Sequence, residues 1–296
     1  MPSKARDHKL PSGARVFSET AAWDIVTTLR RRARAGVLAF PLTLQEAGTR
    51  LVVAADGAWQ ASPELAADAA ALLDLYLPLA LVPHRRSFAL AHLAQSLDGR
   101  IATTGGASQW LTGEADQRHT HRLRALADAV LVGAATVRQD DPRLTVRLCP
   151  GAQPVRIVLD TNLTLKDERQ VFRDGAAPTL VLAAEDRVAA ATRLGDAEII
   201  PLPRDGERLS PLAIRAALAS RGLHWLFIEG GGVTVSRFLA AGALDRLQIA
   251  IAPVVLGSGR SSLSLPEIHD LAVALRPRVR RFMLAEDVLV ECILHD

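Results

Sequence analysis

Glu229-Gly230-Gly231-Gly232 stands between a short apolar run, 225–228, and a helical stretch, 233–241. Three consecutive glycines let a backbone come close to a ligand, and a helix N-terminus offers unpaired N–H groups and partial positive charge. Phosphate or pyrophosphate suits such a place, with the hydroxyls of Thr234 and Ser236 as further donors. The spacing is not GxGxxG, so the motif does not announce a standard dinucleotide fold. Glu229 adds a carboxylate that can accept hydrogen bonds from an amide- or amine-bearing ring. Upstream, Ser96-Leu97-Asp98-Gly99-Arg100 follows another apolar run, and Gly105-Gly106 leads to Ser108-Gln109-Trp110, a segment able to cover a planar ligand. Asp98-Gly99 taken alone is a turn, and Trp110 taken alone serves equally well as a buried anchor. Asp140-Asp141-Pro142 could hold Mg²⁺, but the Asp-Pro context favours a cap or turn. His119 and His121 are two apart and so do not share a helix face, which argues against a metal pair.

The elements that must position these groups change character along the chain. Residues 1–15 read as a loose polar arm. In 16–83, residues 20–34 have helical spacing, with Trp23, Val26 and Leu29 on one stripe. Arg30, Arg31, Arg32 and Arg34 then form a solvated last turn that complements the helix dipole. Residues 37–40 and 51–55 read as strands, Asp56-Gly57 as a hairpin turn, and 64–77 as a helix opened by Pro63. Pro78 and Pro83 punctuate the chain before a His84-Arg85-Arg86 linker. From Ser87 onward, strands at 88–93, 129–132, 155–159, 179–183, 225–228, 247–256 and 288–293 alternate with helices at 114–126, 210–220 and 233–241. Thr112 is the expected N-cap of the first of these helices, Ser210 of the second. Apolar strands separated by helices predict an α/β sheet covered on both faces, with ligands beyond the strands' carboxyl ends.

Composition narrows the function classes. Of 296 residues, 49% are hydrophobic and 23% charged, which excludes wholesale disorder. Net charge is +3, and only Lys4, Lys9 and Lys166 are lysines. No basic stripe interleaved with aromatics marks a nucleic-acid surface. A cationic set made almost wholly of arginine suits phosphorylated small molecules, because the guanidinium binds phosphate as a fork. Cys149 and Cys292 have no zinc-ligand spacing. No apolar stretch follows the N-terminal basic residues as in a signal peptide, and no long uninterrupted apolar run exists, so a soluble cytoplasmic protein is expected.

Several segments together resemble one family. Residues 91–102 (AHLAQSLDGRIA), 106–110 (GASQW), 121–124 (HRLR), 136–147 (TVRQDDPRLTVR), 154–160 (PVRIVLD), 229–232 (EGGG) and 251–257 (IAPVVLG) occur in the order found in the pyrimidine-reductase, or RibD C-terminal, domain of bacterial riboflavin biosynthesis. The resemblance covers residues 87–296 and leaves 1–86 as an N-terminal α/β region of unknown role. In bifunctional relatives that place holds a zinc deaminase, which needs H-x-E and P-C-x-x-C; neither occurs, so deaminase activity is not expected. The resemblance implies a dihydrofolate-reductase-like, three-layer α/β/α fold with a central mixed, mostly parallel sheet, and a homodimer. It implies NADPH as cofactor and a hydride passed to C1′ of an opened phosphoribosylaminopyrimidine. It carries substrate contacts onto Ser108, Arg124, Leu144, Arg147 and Glu229, with both arginines gripping a 5′-phosphate and Glu229 orienting sugar or pyrimidine. Cofactor contacts fall on Ala94, Trp110, Thr136, Asp140, Thr161, Gly231, Gly232, Val233, Thr234, Ser236 and Arg237. Asp98 sits near the reaction centre and could assist protonation beside Glu229. Arg100 stands where many relatives carry Lys and can act only electrostatically. Gln139 touches no assigned role, and Arg138 and Asn162 are candidates for choosing NADPH over NADH. No metal is implied.

Two other readings compete. One is a reductase of the same fold acting on another pterin or pyrimidine, which Arg124 and Arg147 disfavour for an unphosphorylated folate. The other is a non-catalytic NADPH-binding protein, which the intact polar set disfavours.

Overall fold

The computed structural model describes residues 17–83, 85–107, 111–188 and 192–295. The chain divides into two units, one ending at Pro83 and the other beginning at His84. The break lies three residues before the boundary expected from sequence.

The first unit holds α1 (Glu19–Arg34), a three-stranded antiparallel sheet of β1 (Leu42–Glu46), β2 (Thr49–Val53) and β3 (Trp59–Ser62), and α2 (Ala67–Ala80). Ser18 caps α1 by accepting from the Ala21 amide at 3.2 Å. The expected stripe is buried, with Trp23 edge-on to Tyr76 of α2 at 5.4 Å between ring centroids. Three expectations are corrected. Residues 37–40 form no strand. The sheet begins instead at Leu42, where alternation pairs with β2. Helix α2 starts three residues later than expected and runs through Pro78, which sits in its last turn. There proline removes one hydrogen bond without ending the helix. Gly57 makes the hairpin turn at φ +87, and a Cβ on it would meet the Pro78 backbone at 2.6 Å. Arg30 is not solvated: it is buried, and its Nη1 donates to the Val82 carbonyl at 3.0 Å.

The second unit is built on a ten-stranded sheet. In chain order its elements are β4 (Phe88–Ser96), β5 (Arg100–Thr103), α3 (Glu114–Leu126), β6 (Ala129–Gly133), α4 (Ala134–Asp140), β7 (Val155–Leu159), β8 (Thr179–Ala184), β9 (Arg193–Leu194), β10 (Ala197–Leu202), β11 (Arg204–Asp205), β12 (Arg208–Leu209), α5 (Pro211–Ala219), β13 (Trp225–Ile228), α6 (Gly232–Ala240), β14 (Arg246–Ala252), β15 (Gly259–Ser261), β16 (Arg278–Leu284) and β17 (Asp287–Ile293). The sheet order is β16-β17-β14-β4-β13-β6-β7-β8-β10-β9. The seven strands from β14 to β10 are parallel, and β16, β17 and β9 add antiparallel edges.

One face of the sheet packs Ala89, Ala91 and Leu93 of β4 against Ile214 and Leu218 of α5 and Val235 and Phe238 of α6. The other face carries α3, whose Asp116 and His119 meet His92 of β4. This is the three-layer arrangement expected. Strand β14 is shorter than its apolar run because Pro253 cannot continue the ladder. Chain order runs outward from β4 through β6 to β10, then returns to insert β13 between β4 and β6. The carboxyl ends of these three strands therefore diverge into a crevice.

Candidate active site

That crevice holds a cavity of about 390 Å³. Ala94 of β4, Thr136 and Asp140 of α4, Leu144, Glu229 and Gly231 all line it, so six of the residues singled out from sequence meet in one place. Leu144 is buried at φ +56, a left-handed conformation rarely adopted by a branched side chain. Such strain persists only where the surroundings impose it, and it clusters at binding sites.

The glycine turn is shaped as the sequence suggested. Gly230 and Gly231 sit at φ +86 and +66. A Cβ on Gly231 would come within 3.2 Å of Thr136 Oγ1, and one on Gly232 within 2.5 Å of the Ser262 carbonyl. A side chain at Gly231 would thus crowd the cradle in front of α6, while Gly232 is pressed against the Ser261–Ser262 backbone. The Thr136 and Thr234 hydroxyls flank the turn. This donor set fits the phosphates of a dinucleotide. Val233 is exposed beside it. Ser236 and Arg237 depart from the expectation, because a helix turns its side chains through a full circle. The Ser236 hydroxyl accepts from the Ser264 amide at 2.8 Å, and Arg237 Nη2 donates to the Leu209 carbonyl at 2.9 Å. Thr161 lines a second, polar cavity of about 540 Å³ beyond β7, with Asn162, Arg187, Arg204 and Arg208. Arg204 there bonds Asp186 Oδ1 at 2.7 Å and Asn162 Oδ1 at 2.8 Å. Arg138 instead donates to Thr164 Oγ1.

Arg124 does not stand as an open fork. Its Nε donates to Glu229 Oε2 at 2.6 Å, its Nη2 to Glu229 Oε1, and its Nη1 to the Thr145 carbonyl at 2.7 Å. A buried guanidinium needs such a partner, and the carboxylate at the end of β13 is the one within reach. Arg147 is more open. Its Nη1 meets Thr145 Oγ1 at 2.5 Å, and its amide donates to His121 Nδ1 at 2.8 Å. Partial burial and the neighbouring Arg124 and Arg143 push the Arg147 guanidinium below its usual range, against the pull of Glu229. Arg147, with Arg124 and Arg143 near it, makes a cationic seat for an anion.

Asp98 is placed otherwise than a proton donor requires. Its carboxylate accepts from Ser96 Oγ at 2.6 Å, from the Leu256 amide at 3.0 Å and from the Gly257 amide at 2.7 Å. These bonds, the Ser96 hydroxyl first, hold it down to about 2. It clasps the β4–β5 turn to the segment after β14. Arg100 reinforces the clasp through the Gly257 carbonyl at 3.2 Å and Ser261 Oγ at 2.7 Å. Asp141 takes the cap role: it ends α4 at φ +41, and its Oδ1 accepts from the Gln170 amide at 2.9 Å. Burial raises Asp140, with Arg260 opposing. Thr112 does not cap α3, because Gly113 holds that position and the Thr112 hydroxyl turns to Asp116 Oδ2 at 2.8 Å. Ser210 holds the cap position of α5 without a side-chain bond. Ser108 and Trp110 lie outside the described residues.

Sequence reasoning missed several wall residues. His92 and Asp116 line the cavity, buried, with His92 Nε2 3.0 Å from Asp116 Oδ1. The signal was a polar residue inside the otherwise apolar run of β4. Gln139 and Arg260 also line it. Arg260 Nη1 donates to Gln139 Oε1 at 2.9 Å, and Gln139 Nε2 donates to the Gly106 carbonyl at 3.0 Å, bridging α4 to β15 and the β5 turn. The two histidines of α3 part as their spacing predicts: His119 Nε2 meets Gln248 Oε1 at 2.8 Å, while His121 serves the Arg147 amide.

Comparison with known proteins follows the same outline. The family model described as the RibD C-terminal domain matches residues 88–281. The riboflavin biosynthesis protein RibD of Aquifex aeolicus is 34% identical over 212 residues, covering 71% of this chain and 58% of that protein. The 2,5-diamino-6-ribosylamino-4(3H)-pyrimidinone 5′-phosphate reductase of Methanothermobacter thermautotrophicus is 34% identical over 217 residues, covering 70% of this chain and 97% of that protein. A crystal structure of a diaminohydroxyphosphoribosylaminopyrimidine deaminase/5-amino-6-(5-phosphoribosylamino)uracil reductase from Thermotoga maritima superposes with a TM-score of 0.60 at 28% identity, covering 76% of this chain and 61% of that one. The chain spans roughly half the length of the RibD proteins it matches.

Proposed function

The chain belongs to the RibD C-terminal domain family, and on that premise we propose that residues 87–296 form an NADPH-dependent reductase of 5-amino-6-(5-phosphoribosylamino)uracil, or of a close phosphoribosylaminopyrimidine. The observation that carries this reading is the single cavity shared by the glycine turn and the guanidinium-flanked Glu229. A bound reduced nicotinamide would supply a hydride to C1′ of the opened ribose. The glycine turn, Thr136 and Thr234 would hold its phosphates, with Ala94 and Asp140 along the same wall.

The protein's own part is to bind and orient. Arg147, backed by Arg143, receives the 5′-phosphate, while Arg124 fixes the Glu229 carboxylate rather than the phosphate. Glu229, held on both oxygens, is a rigid acceptor for an N–H or O–H of the substrate. Holding donor and acceptor carbons in contact can remove roughly 7–11 kcal/mol of barrier. Preference for NADPH over NADH is supported by the second cavity, where the exposed guanidiniums of Arg187 and Arg208 offer charge to a 2′-phosphate. A homodimer is supported by the exposed apolar residues Val279 and Met283 on edge strand β16. Among the described residues no helix is long and apolar enough to cross a membrane.

The decisive experiment follows loss of reduced-nicotinamide absorbance with the uracil substrate, its 2-amino pyrimidinone counterpart and dihydrofolate. Turnover of either pyrimidine is expected; consumption with dihydrofolate alone overturns the reading.

A further inference from the structure

The cavity wall contains an ionisable pair that the binding roles above leave unused. His92 points from the middle of β4, where its neighbours are apolar, and is only 5% exposed. Its Nε2 lies 3.0 Å from Asp116 Oδ1, an ion-pair contact rather than an aligned hydrogen bond, and neither ring nitrogen has a hydrogen-bond partner among the described residues. A buried polar atom left this way costs free energy unless something else meets it. Both members of the pair line the cavity together with Glu229. Asp116 is itself anchored by the Thr112 hydroxyl at 2.8 Å. The His92 ring stands edge-on to His119 at 5.2 Å between centroids. A buried imidazole with unmet ring nitrogens, beside a fixed carboxylate on the wall of the cavity, has the make-up of an oriented acid–base group.

We propose that His92, positioned by Asp116, is the catalytic acid of the reduction, giving the proton from its Nδ1 to the substrate nitrogen attached to C1′. The proposal rests on the reductase reading above. The substrate is the C1′=N imine of the opened ribose. Hydride from the reduced nicotinamide forms the C1′–H bond, and the π pair of the imine forms an N–H bond with the His92 proton. The Nδ1–H bond breaks, the imidazolium becomes imidazole beside the Asp116 carboxylate, and water restores the proton once product leaves. The other titratable groups of the site fit this step less well. Glu229 accepts from Arg124 on both oxygens, and Asp98, which does not line the cavity, accepts three bonds of its own. Asp140 stands beside Arg260, whose charge favours its carboxylate form.

The groups facing His92 are Asp116 and His119 from α3 and the neutral Gln248 in register on β14; Glu229, Asp140 and Arg260 share the cavity wall. Asp116 is held down to about 2 despite its burial, chiefly by the charge of His92 beside it. It therefore stays a carboxylate through the working pH range.

The test compares wild type with His92→Gln, Asp116→Asn and Asp140→Asn. His92→Gln is expected to lower kcat about 100-fold or more, with substrate KM and NADP⁺ affinity by calorimetry little changed. The fall of kcat on the alkaline side of the wild-type profile should vanish in His92→Gln. In Asp116→Asn, which loses the positioning carboxylate, kcat should fall while substrate KM and NADP⁺ affinity change little. In the cofactor-free protein, the ¹⁵N resonance of His92 Nδ1 should shift when the ribitylamino product is added. Unchanged kcat in His92→Gln, a loss confined to KM or NADP⁺ affinity, an unmoved ¹⁵N resonance, or an alkaline limb abolished by Asp140→Asn instead each overturns the assignment. Wild-type turnover alongside any of these results leaves the reductase reading intact. Absence of wild-type turnover with either pyrimidine sinks that reading, and the proposal with it.

Discussion

At the scale of the residue, two arginines that look alike in sequence have different work. Arg124 is buried and forked onto Glu229, whereas Arg147 keeps an exposed guanidinium next to Arg143. Arg147→Ala is therefore expected to raise KM for the phosphorylated substrate by one to two orders of magnitude, from a charge-assisted contact of about 1.5–3 kcal/mol. Steady-state kinetics at fixed NADPH checks this, and an unchanged KM refutes the phosphate assignment. His119 makes a pH prediction. Burial first, then the charge of His92, depresses it from 6.5 to about 3 in the folded chain. Between those values the unfolded chain holds more protons, so stability is fully present above the unfolded value and declines as pH falls toward about 3. Urea unfolding at about pH 7 and about pH 5 should show that decline, and His119→Gln should flatten it.

At the scale of the element, the strand-to-helix turn before α6 is the most constrained segment of the site. Gly232→Ala would drive a methyl into the Ser262 carbonyl, 2.5 Å away. The expected cost is about 1–3 kcal/mol of stability, with a matching loss of NADP⁺ affinity by calorimetry. Full affinity in a variant of normal melting temperature would mean that the turn does not receive the phosphates. The same elements show what sequence could and could not reveal. Strands β7 and β13 and helix α3 begin and end where periodicity placed them, because apolar runs bounded by polar residues leave little choice. Pro78 misled, since its penalty depends on where in a helix it falls. The glycine turn and Glu229 were legible as local chemistry. The Arg124–Glu229 fork was not, for its partners lie 105 residues apart and only the sheet order joins them. His92 was hidden for the same reason: its meaning comes from Asp116 on a helix of the opposite layer.

At the scale of the whole molecule, edge strand β16 leaves Val279 and Met283 in solvent, at 41% and 65% exposure. If two copies cover this edge, light scattering should give twice the chain mass, and Met283→Asp should shift the population toward the monomer; an unaltered mass distribution would locate the interface elsewhere. The cavity walls have a further consequence. They are drawn from β4, β5, α3, α4, the β13–α6 turn and β15, so no short stretch of polypeptide carries the pocket in advance. Such long-range closure is a late event when a chain collapses. A guest can therefore recognise only the finished architecture, and by mass action it becomes a lock on that architecture. Scarcity of dinucleotide in a cell would then shorten the enzyme's lifetime as well as slow its turnover.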